Sequence, residues 1–219
     1  MPAPRATSEP AFWDERYRTG APDGGPAFSL RPNPFVAAEA HRIRPGGRVA
    51  DVGAGEGRHA LHLARLGHPV LAVDFAAHGL QTLARLSADE RLPIDTLVAD
   101  AAEADAWAAP GTSDAVVVTF VHPLPAERAE MYAAIRRALT PGGVLLAEWF
   151  RPAHLGDAYA RIGPSKPDRL VSADELREHF DPAGFHVLRE AEPTFDLGFL
   201  SGKAATLQVV WEAPQREAP

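Results

Sequence analysis

The chain has 219 residues, 46% hydrophobic and 23% charged, which suits one folded domain with a substantial core and excludes a disordered polymer. Its formal net charge is −7, which argues against a phosphate-neutralising nucleic-acid surface. It has no cysteine, so disulfides, thiolate nucleophiles and cysteine metal sites are excluded. No apolar run is long enough to span a bilayer, and Met1-Pro2-Ala3-Pro4-Arg5 lacks the apolar core of a signal peptide. A cytoplasmic location is the expectation.

Residues 1–11 are rich in Pro and Ala and are expected to fray. Phe12, Trp13, Arg16 and Tyr17 follow at helical spacing. The stretch from Gly20 to Pro26 reads as a loop, and a helix is predicted over 35–43, ended by Pro45-Gly46-Gly47. Residues 1–45 read as a helical cap on a main domain of residues 46–213, with a tail at 214–219. Phe12, Trp13 and Tyr17 are too many large rings for a terminus that packs on nothing. With Gly20, Gly24 and Gly25 beside them, they predict a lid.

The first strand is predicted over 48–52. Ala60, Leu61, Leu63 and Ala64 give the next helix its buried stripe, and Gly67 closes it. The second strand, 69–74, is apolar almost throughout and so buried on both faces. Leu80, Leu83 and Ala84 mark a helix, and strands follow at 94–100 and 114–119. Met131, Ala134, Ile135, Ala138 and Leu139 mark another helix. Pro141-Gly142-Gly143 reads as a turn before a fifth strand at 144–149. Strands alternating with helices imply a doubly wound α/β sheet with right-handed crossovers. Residues 151–170 read as irregular loop. Ser172-Ala173-Asp174-Glu175 reads as a capping box, with Leu176 and Phe180 facing the sheet. Strands near 184–190 and 204–212, joined by a long loop through Phe195 and Gly202, predict a terminal antiparallel hairpin.

The most informative stretch is Asp51-Val52-Gly53-Ala54-Gly55-Glu56-Gly57-Arg58. Glycines at a strand-to-helix turn let a ligand lie against main chain, beside the unpaired N–H groups of the new helix. A dinucleotide fingerprint would need glycine at position 58, where Arg58 stands, so a nicotinamide-dependent oxidoreductase is disfavoured. Asp51 would repel a pyrophosphate but suits an ammonium group. The second and third strands end in Asp74 and Asp100, and the fourth in Thr119-Phe120-Val121-His122. Ligands of open α/β sheets bind beyond these carboxyl ends. Any one acid there can be a helix N-cap, but three acids beside a glycine turn point to a ligand. His59 and His62 are three apart on a helix, and without a third ligand of suitable spacing no metal is expected.

The stretch from Asp51 to Gly57 resembles motif I of the class I S-adenosylmethionine-dependent methyltransferases. Phe12-Trp13-Asp14-Glu15-Arg16-Tyr17, Pro32-Asn33-Pro34-Phe35, Glu56-Gly57-Arg58-His59, the run from Leu66 to Asp74 and Phe120-Val121-His122 are similar to the small bacterial tellurite-resistance and thiopurine-type members. The resemblance runs from about residue 12 to 212. It implies a seven-stranded sheet of order 3-2-1-4-5-7-6 with its last strand antiparallel, and S-adenosylmethionine as cofactor. It implies a small-molecule acceptor (thiol, selenol, metalloid or hydroxyl) with no nucleic acid or membrane, and a monomer or homodimer. Under it, Asp74 takes the ribose hydroxyls, and Asp100 with the Ala101 amide takes the adenine edge, covered by Phe75. Asp51 and the loop of Gly53, Gly55 and Gly57 meet the methionyl ammonium, and Arg58 meets its carboxylate. Thr119 and Phe120 complete the cofactor set. Trp13, Tyr17, Trp149 and Phe150 would wall the acceptor pocket, and His122 would contact the acceptor or act as its base. Many relatives carry a His shortly before the equivalent of Gly202, where this chain has Leu200 and Ser201. A non-catalytic S-adenosylmethionine-binding partner protein is the alternative reading.

Overall fold

The computed structural model describes residues 8–20, 25–197 and 200–215. Its strands are β1 (Val49–Val52), β2 (Val70–Asp74), β3 (Ile94–Val98), β4 (Ser113–Thr119), β5 (Leu139–Phe150), β6 (Phe185–Ala191), β7 (Thr194–Leu197), β8 (Leu200–Lys203) and β9 (Thr206–Glu212). Seven of them form one sheet in the order β3-β2-β1-β4-β5-β9-β6. β1 pairs in parallel with β2 and β4, β2 with β3, and β4 with β5. β9 runs antiparallel to both β5 and β6. This is the expected order, with β9 as the seventh strand of the sheet.

The helices are α1 (Ser8–Thr19), α2 (Pro34–Glu39), α3 (Arg58–Arg65), α4 (Ala77–Glu90), α5 (Ala104–Trp107), α6 (Pro125–Ala138) and α7 (Ala173–His179). The central strands are apolar on both faces because both are covered. On one face Val117 and Leu146 meet Phe35 and Val36 of α2, Leu61 and Leu63 of α3, and Leu80 and Leu83 of α4. On the other, Val116, Val118 and Trp149 meet Met131, Tyr132 and Ile135 of α6, and Leu176 of α7. α1 lies on α4, and its Asp14 carboxylate caps the start of that helix. It accepts from the His78 amide at 2.9 Å and lies 2.7 Å from the His78 ring Nδ1. The N-cap residue of α4 is Ala76, which has no side chain to do this.

Several local expectations are corrected. α1 starts at Ser8, inside the stretch expected to fray, and Pro10 sits in its first turns, where the missing N–H costs nothing. Residues 1–7 and 21–24, including Gly24, lie outside the described residues. The helix expected over 35–43 is α2 followed by a 3-10 turn at Ala40–Arg42. Pro141-Gly142-Gly143 is not a turn before β5 but lies within it. The register jumps from Ser113↔Leu139 to Ala115↔Val144, and Gly142 takes φ +73 in the bulge. α5 was not anticipated. The irregular 151–170 segment contains two 3-10 turns, Pro152–Leu155 and Pro167–Arg169. The loop through Phe195 and Gly202 is the β7–β8 hairpin. Ser172 caps α7 by accepting from the Glu175 amide, but the box is not reciprocal. The Glu175 carboxylate instead forms a pair of bonds with buried Arg128, at 2.5 and 2.9 Å. Arg128 also donates to the carbonyls of Pro123 and Asp168, which ties the 160s segment to the start of α6.

Candidate active site

A cavity of about 680 Å³ opens at the carboxyl ends of β1, β2 and β4. Gly53, Gly55, Arg58, Asp74, Phe75, Asp100, Ala101, Thr119 and Phe120 border it together, as do Trp13, Tyr17, His122 and Phe150. Asp51, Gly57 and Trp149 do not, and each departure has a local cause.

Asp51 is buried behind the glycine turn, where its Oδ2 accepts from the Ala60 amide at 3.0 Å. The N-cap of α3 is Gly57, which has no side chain, so Asp51 supplies the missing acceptor from the preceding strand. Its Oδ1 lies 3.8 Å from Nδ1 of His59, and burial pushes its pKa up to about 7. Gly57 serves packing. A Cβ there would fall 2.2 Å from Leu83 Cδ1, so its bare backbone admits α4. Trp149 is buried against Tyr132, edge to face at 6.0 Å. Strand alternation sends it to the face opposite Phe150, which does border the cavity.

Asp74 has two attachments. Its Oδ2 accepts from the Gly55 amide and its Oδ1 from the Ala76 amide, both at 2.8 Å. Burial raises its pKa to about 6 against the pull of those two bonds. Asp74 therefore holds the glycine turn in place while bordering the cavity. Asp100 accepts from the Ala102 amide at 2.8 Å.

Arg58, in the first turn of α3, reaches Thr119 Oγ1 with Nη2 at 3.3 Å. Its guanidinium lies 5.5 Å from the Phe120 ring centroid. Nη1 is buried and has no hydrogen-bond partner among the described residues. Burial lowers the pKa of this cation to about 10, yet it remains charged at neutral pH. Phe120 stands at φ +58, a left-handed conformation costing an aromatic residue about 1–3 kcal/mol. Its ring packs on Phe150 at 5.0 Å and Phe195 at 5.3 Å.

His122 borders the cavity but is not arranged as a base. Its Nδ1 lies 2.8 Å from the Arg169 carbonyl, and its Nε2 accepts from the Phe150 amide at 3.4 Å. This pairing puts the ring proton on Nδ1 and occupies the lone pair a base would use. Burial drops its pKa to about 3, so it stays neutral through the physiological range. Of the two roles expected for His122, acceptor contact or base, this geometry favours the first: a neutral wall residue stacked on Phe150. We expect His122→Gln to lower turnover by less than about tenfold in the folded enzyme, since removing a true base costs about 10²–10⁴. A hundredfold loss with an unchanged circular-dichroism spectrum would reinstate the base.

The roof comes from the N-terminal segment. Trp13 and Tyr17 stack at 6.1 Å, and each packs near Phe28, at 6.1 and 6.0 Å. Tyr17 lies directly over Gly55, because a Cβ built there would be 2.5 Å from its hydroxyl. Tyr17 thus covers the glycine turn. The sequence reading missed Phe28 and its anchor. Glu56 accepts from the amides of Ala27 and Phe28, both at 3.1 Å, pinning residues 27–28 over the cavity. It also missed Arg161, Ile162 and Lys166, which border the cavity from a Pro- and Gly-rich segment with no period to flag them. Among the described residues no three potential ligands gather to hold a metal. His59 Nε2 accepts from the Asn33 amide at 3.3 Å. No described helix is long and apolar enough to cross a membrane.

Residues 49–143 match the methyltransferase domain family. A protein-L-isoaspartate O-methyltransferase of Rhodopseudomonas palustris (strain BisB5) is 30% identical over 161 residues, covering 72% of this chain and 70% of that protein. Among solved structures, TehB from Haemophilus influenzae superposes with TM-score 0.65 at 21% identity, over 81% of this chain and 61% of TehB. A structure described under the conversion of a disulfide bond into a thioacetal group during echinomycin biosynthesis gives 0.70 at 23% identity, over 94% of both chains. An arsenic(III) S-adenosylmethionine methyltransferase from Chlamydomonas reinhardtii gives 0.59 at 19% identity, over 80% of this chain and 66% of that one. At these identities the solved structures speak for the fold, while the family rests on the sequence matches. The glycine turn ringed by strand-end acids and the sheet with β9 reversed have the same origin: this chain belongs to the class I S-adenosylmethionine-dependent methyltransferases.

Proposed function

We propose that this methyltransferase acts on a small-molecule acceptor that enters beneath α1. The observation that carries the proposal is the roof of Trp13, Tyr17 and Phe28 over a cavity of about 680 Å³, a volume within the range of small-ligand sites. Bound S-adenosylmethionine supplies an activated methyl group on a sulfonium. The residues fit that donor. The unpartnered Nη1 of Arg58 suits its carboxylate, the loop of Gly53 and Gly55 its methionyl end, and Asp74 its ribose hydroxyls. Asp100, Ala101 and Phe75 suit the adenine. Phe120 and Phe150 would exclude water and offer ring faces to the sulfonium cation of the donor. With the His122 lone pair occupied, soft nucleophiles such as thiols and selenols, which need little base help, are the best-suited acceptors.

A rival acceptor is an L-isoaspartate residue of a protein, the substrate named for the Rhodopseudomonas palustris relative. Methyl-labelled S-adenosylmethionine offered with thiols, selenols, phenols and an isoaspartyl peptide separates the readings. Transfer to a small acceptor is the expected result. Labelling of the peptide alone would overturn it, and cofactor binding without any transfer would favour a non-catalytic partner protein.

The same roof is proposed as a lid, held by the Asp14–His78 contact and the Glu56 anchor. Hydrogen exchange in residues 12–35 should slow when S-adenosylhomocysteine is added. Deleting residues 1–30 should reduce turnover more than it reduces thermal stability. Equal protection with and without ligand, together with global unfolding of the deletion, would make the segment fixed core instead.

A further inference from the structure

Arg161 and Lys166 border the cavity on the side of Phe150 and Ile162, and both are exposed. Neither side chain has an ion pair or hydrogen bond among the described residues. This chain holds more acids than bases, 29 against 22, and many of its cations have found an acid. Arg65 pairs with Glu90, Arg128 with Glu175, Arg151 with Glu190 and Lys203 with Glu192. The acids that border the cavity have backbone amides to bond. Asp74 takes those of Gly55 and Ala76, Asp100 that of Ala102, Glu56 those of Ala27 and Phe28, and Glu127 that of Leu124. Asp157 and Asp168 share the 151–170 segment with the two cations but do not border the cavity. Positive charge is therefore presented at this wall without an acid of the segment to match it. Beside it the lining is apolar: Phe28, Phe120, Phe150 and Ile162, with Phe12 at the mouth 56% exposed.

On this arrangement we infer that the acceptor is a small organic anion, with an apolar body against Phe120, Phe150 and Ile162 and an acidic group met by Arg161 and Lys166. The inference rests on the reading that a small acceptor enters beneath α1. Arg and Lys at the mouth select by charge, because a charge-assisted bond to a carboxylate is stronger than one to a neutral hydroxyl, and an ammonium would be repelled. Both cations are solvent-exposed, so the selection should weaken as salt rises.

The test uses the full chain saturated with S-adenosylhomocysteine and three probes sharing one ring system: naphthoate, naphthalenemethanol and naphthylmethylamine. Calorimetry should rank naphthoate tightest, about tenfold or more ahead of the alcohol, with the amine weakest. In the double variant Arg161→Glu/Lys166→Glu the lead of naphthoate should vanish, while S-adenosylhomocysteine still binds, which reports an intact fold. If all three probes bind parent protein alike, or naphthoate keeps its full lead in the double variant, the charge inference is overturned and the small-acceptor reading survives. If none of the probes binds the loaded protein, both fall.

Discussion

Gly55→Val is expected to abolish binding of S-adenosylhomocysteine, a loss of at least about a hundredfold, with the sheet retained. Gly55 stands at φ +55, where a β-branched residue is a strong outlier, so the turn would have to change conformation. Its amide is held by Asp74, and the Gly55 carbonyl would lie 3.0 Å from a Cβ at Gly79 of α4, so the turn has little room to move. Tyr17 covers the position, with its hydroxyl 2.5 Å from the new Cβ. A valine therefore displaces the Tyr17 ring, the turn, or both. The milder Gly55→Ala, alone and with Tyr17→Ala, separates these effects. If the glycine is needed only to seat Tyr17, the double variant regains affinity. If it is needed for ligand approach, removing Tyr17 restores nothing. Normal affinity in folded Gly55→Val would show that this turn does not cradle the cofactor.

Asp74→Ala should weaken the same ligand by about 1–3 kcal/mol, the scale for losing a hydrogen bond to a charged group and stranding its donors. The variant also releases the Gly55 and Ala76 amides, so Asp74→Asn, which keeps one oxygen acceptor, is the companion. A pH dependence follows from burial, which raises the Asp74 pKa from an ordinary 3.8 to about 6. In the folded protein the proton is retained through a window where the unfolded chain has already lost it. The stability this contributes is full below the unfolded value and is lost as pH rises through about 6. Ligand binding runs the other way. Ribose hydroxyls need the ionised acceptor, so affinity should hold near about pH 8 and fall below about pH 6, by at most about tenfold per unit. The slope should flatten in Asp74→Asn, and that difference isolates Asp74 from Asp51, which burial pushes to about 7. A flat profile in the parent, or unchanged affinity in folded Asp74→Ala, would confine Asp74 to holding the turn.

Periodicity and turn chemistry in the sequence sufficed for the strand–helix alternation, the glycine turn and the acids at the ends of β2 and β3, because these are local properties of backbone and burial. The same local signals misled where two structures need the same residues. Pro141-Gly142-Gly143 suits a turn, and a bulge inside β5 needs the same positive φ at Gly142. Trp149 and Phe150 both looked like pocket walls because β5 is buried on both faces, and an apolar strand does not mark which face meets the cavity. Asp51 looked like a ligand group, but Gly57 leaves α3 without its own cap and claims the nearest carboxylate. The remaining decisions were made by contacts distant in sequence. Arg169, 47 residues away, and Phe150, 28 away, engage both ring nitrogens of His122. Glu56 draws in Phe28 from 28 residues away to complete the roof. Hydrogen bonds of that span depend on where the folded backbone brings an amide or carbonyl, and side-chain identity along the chain does not encode that position.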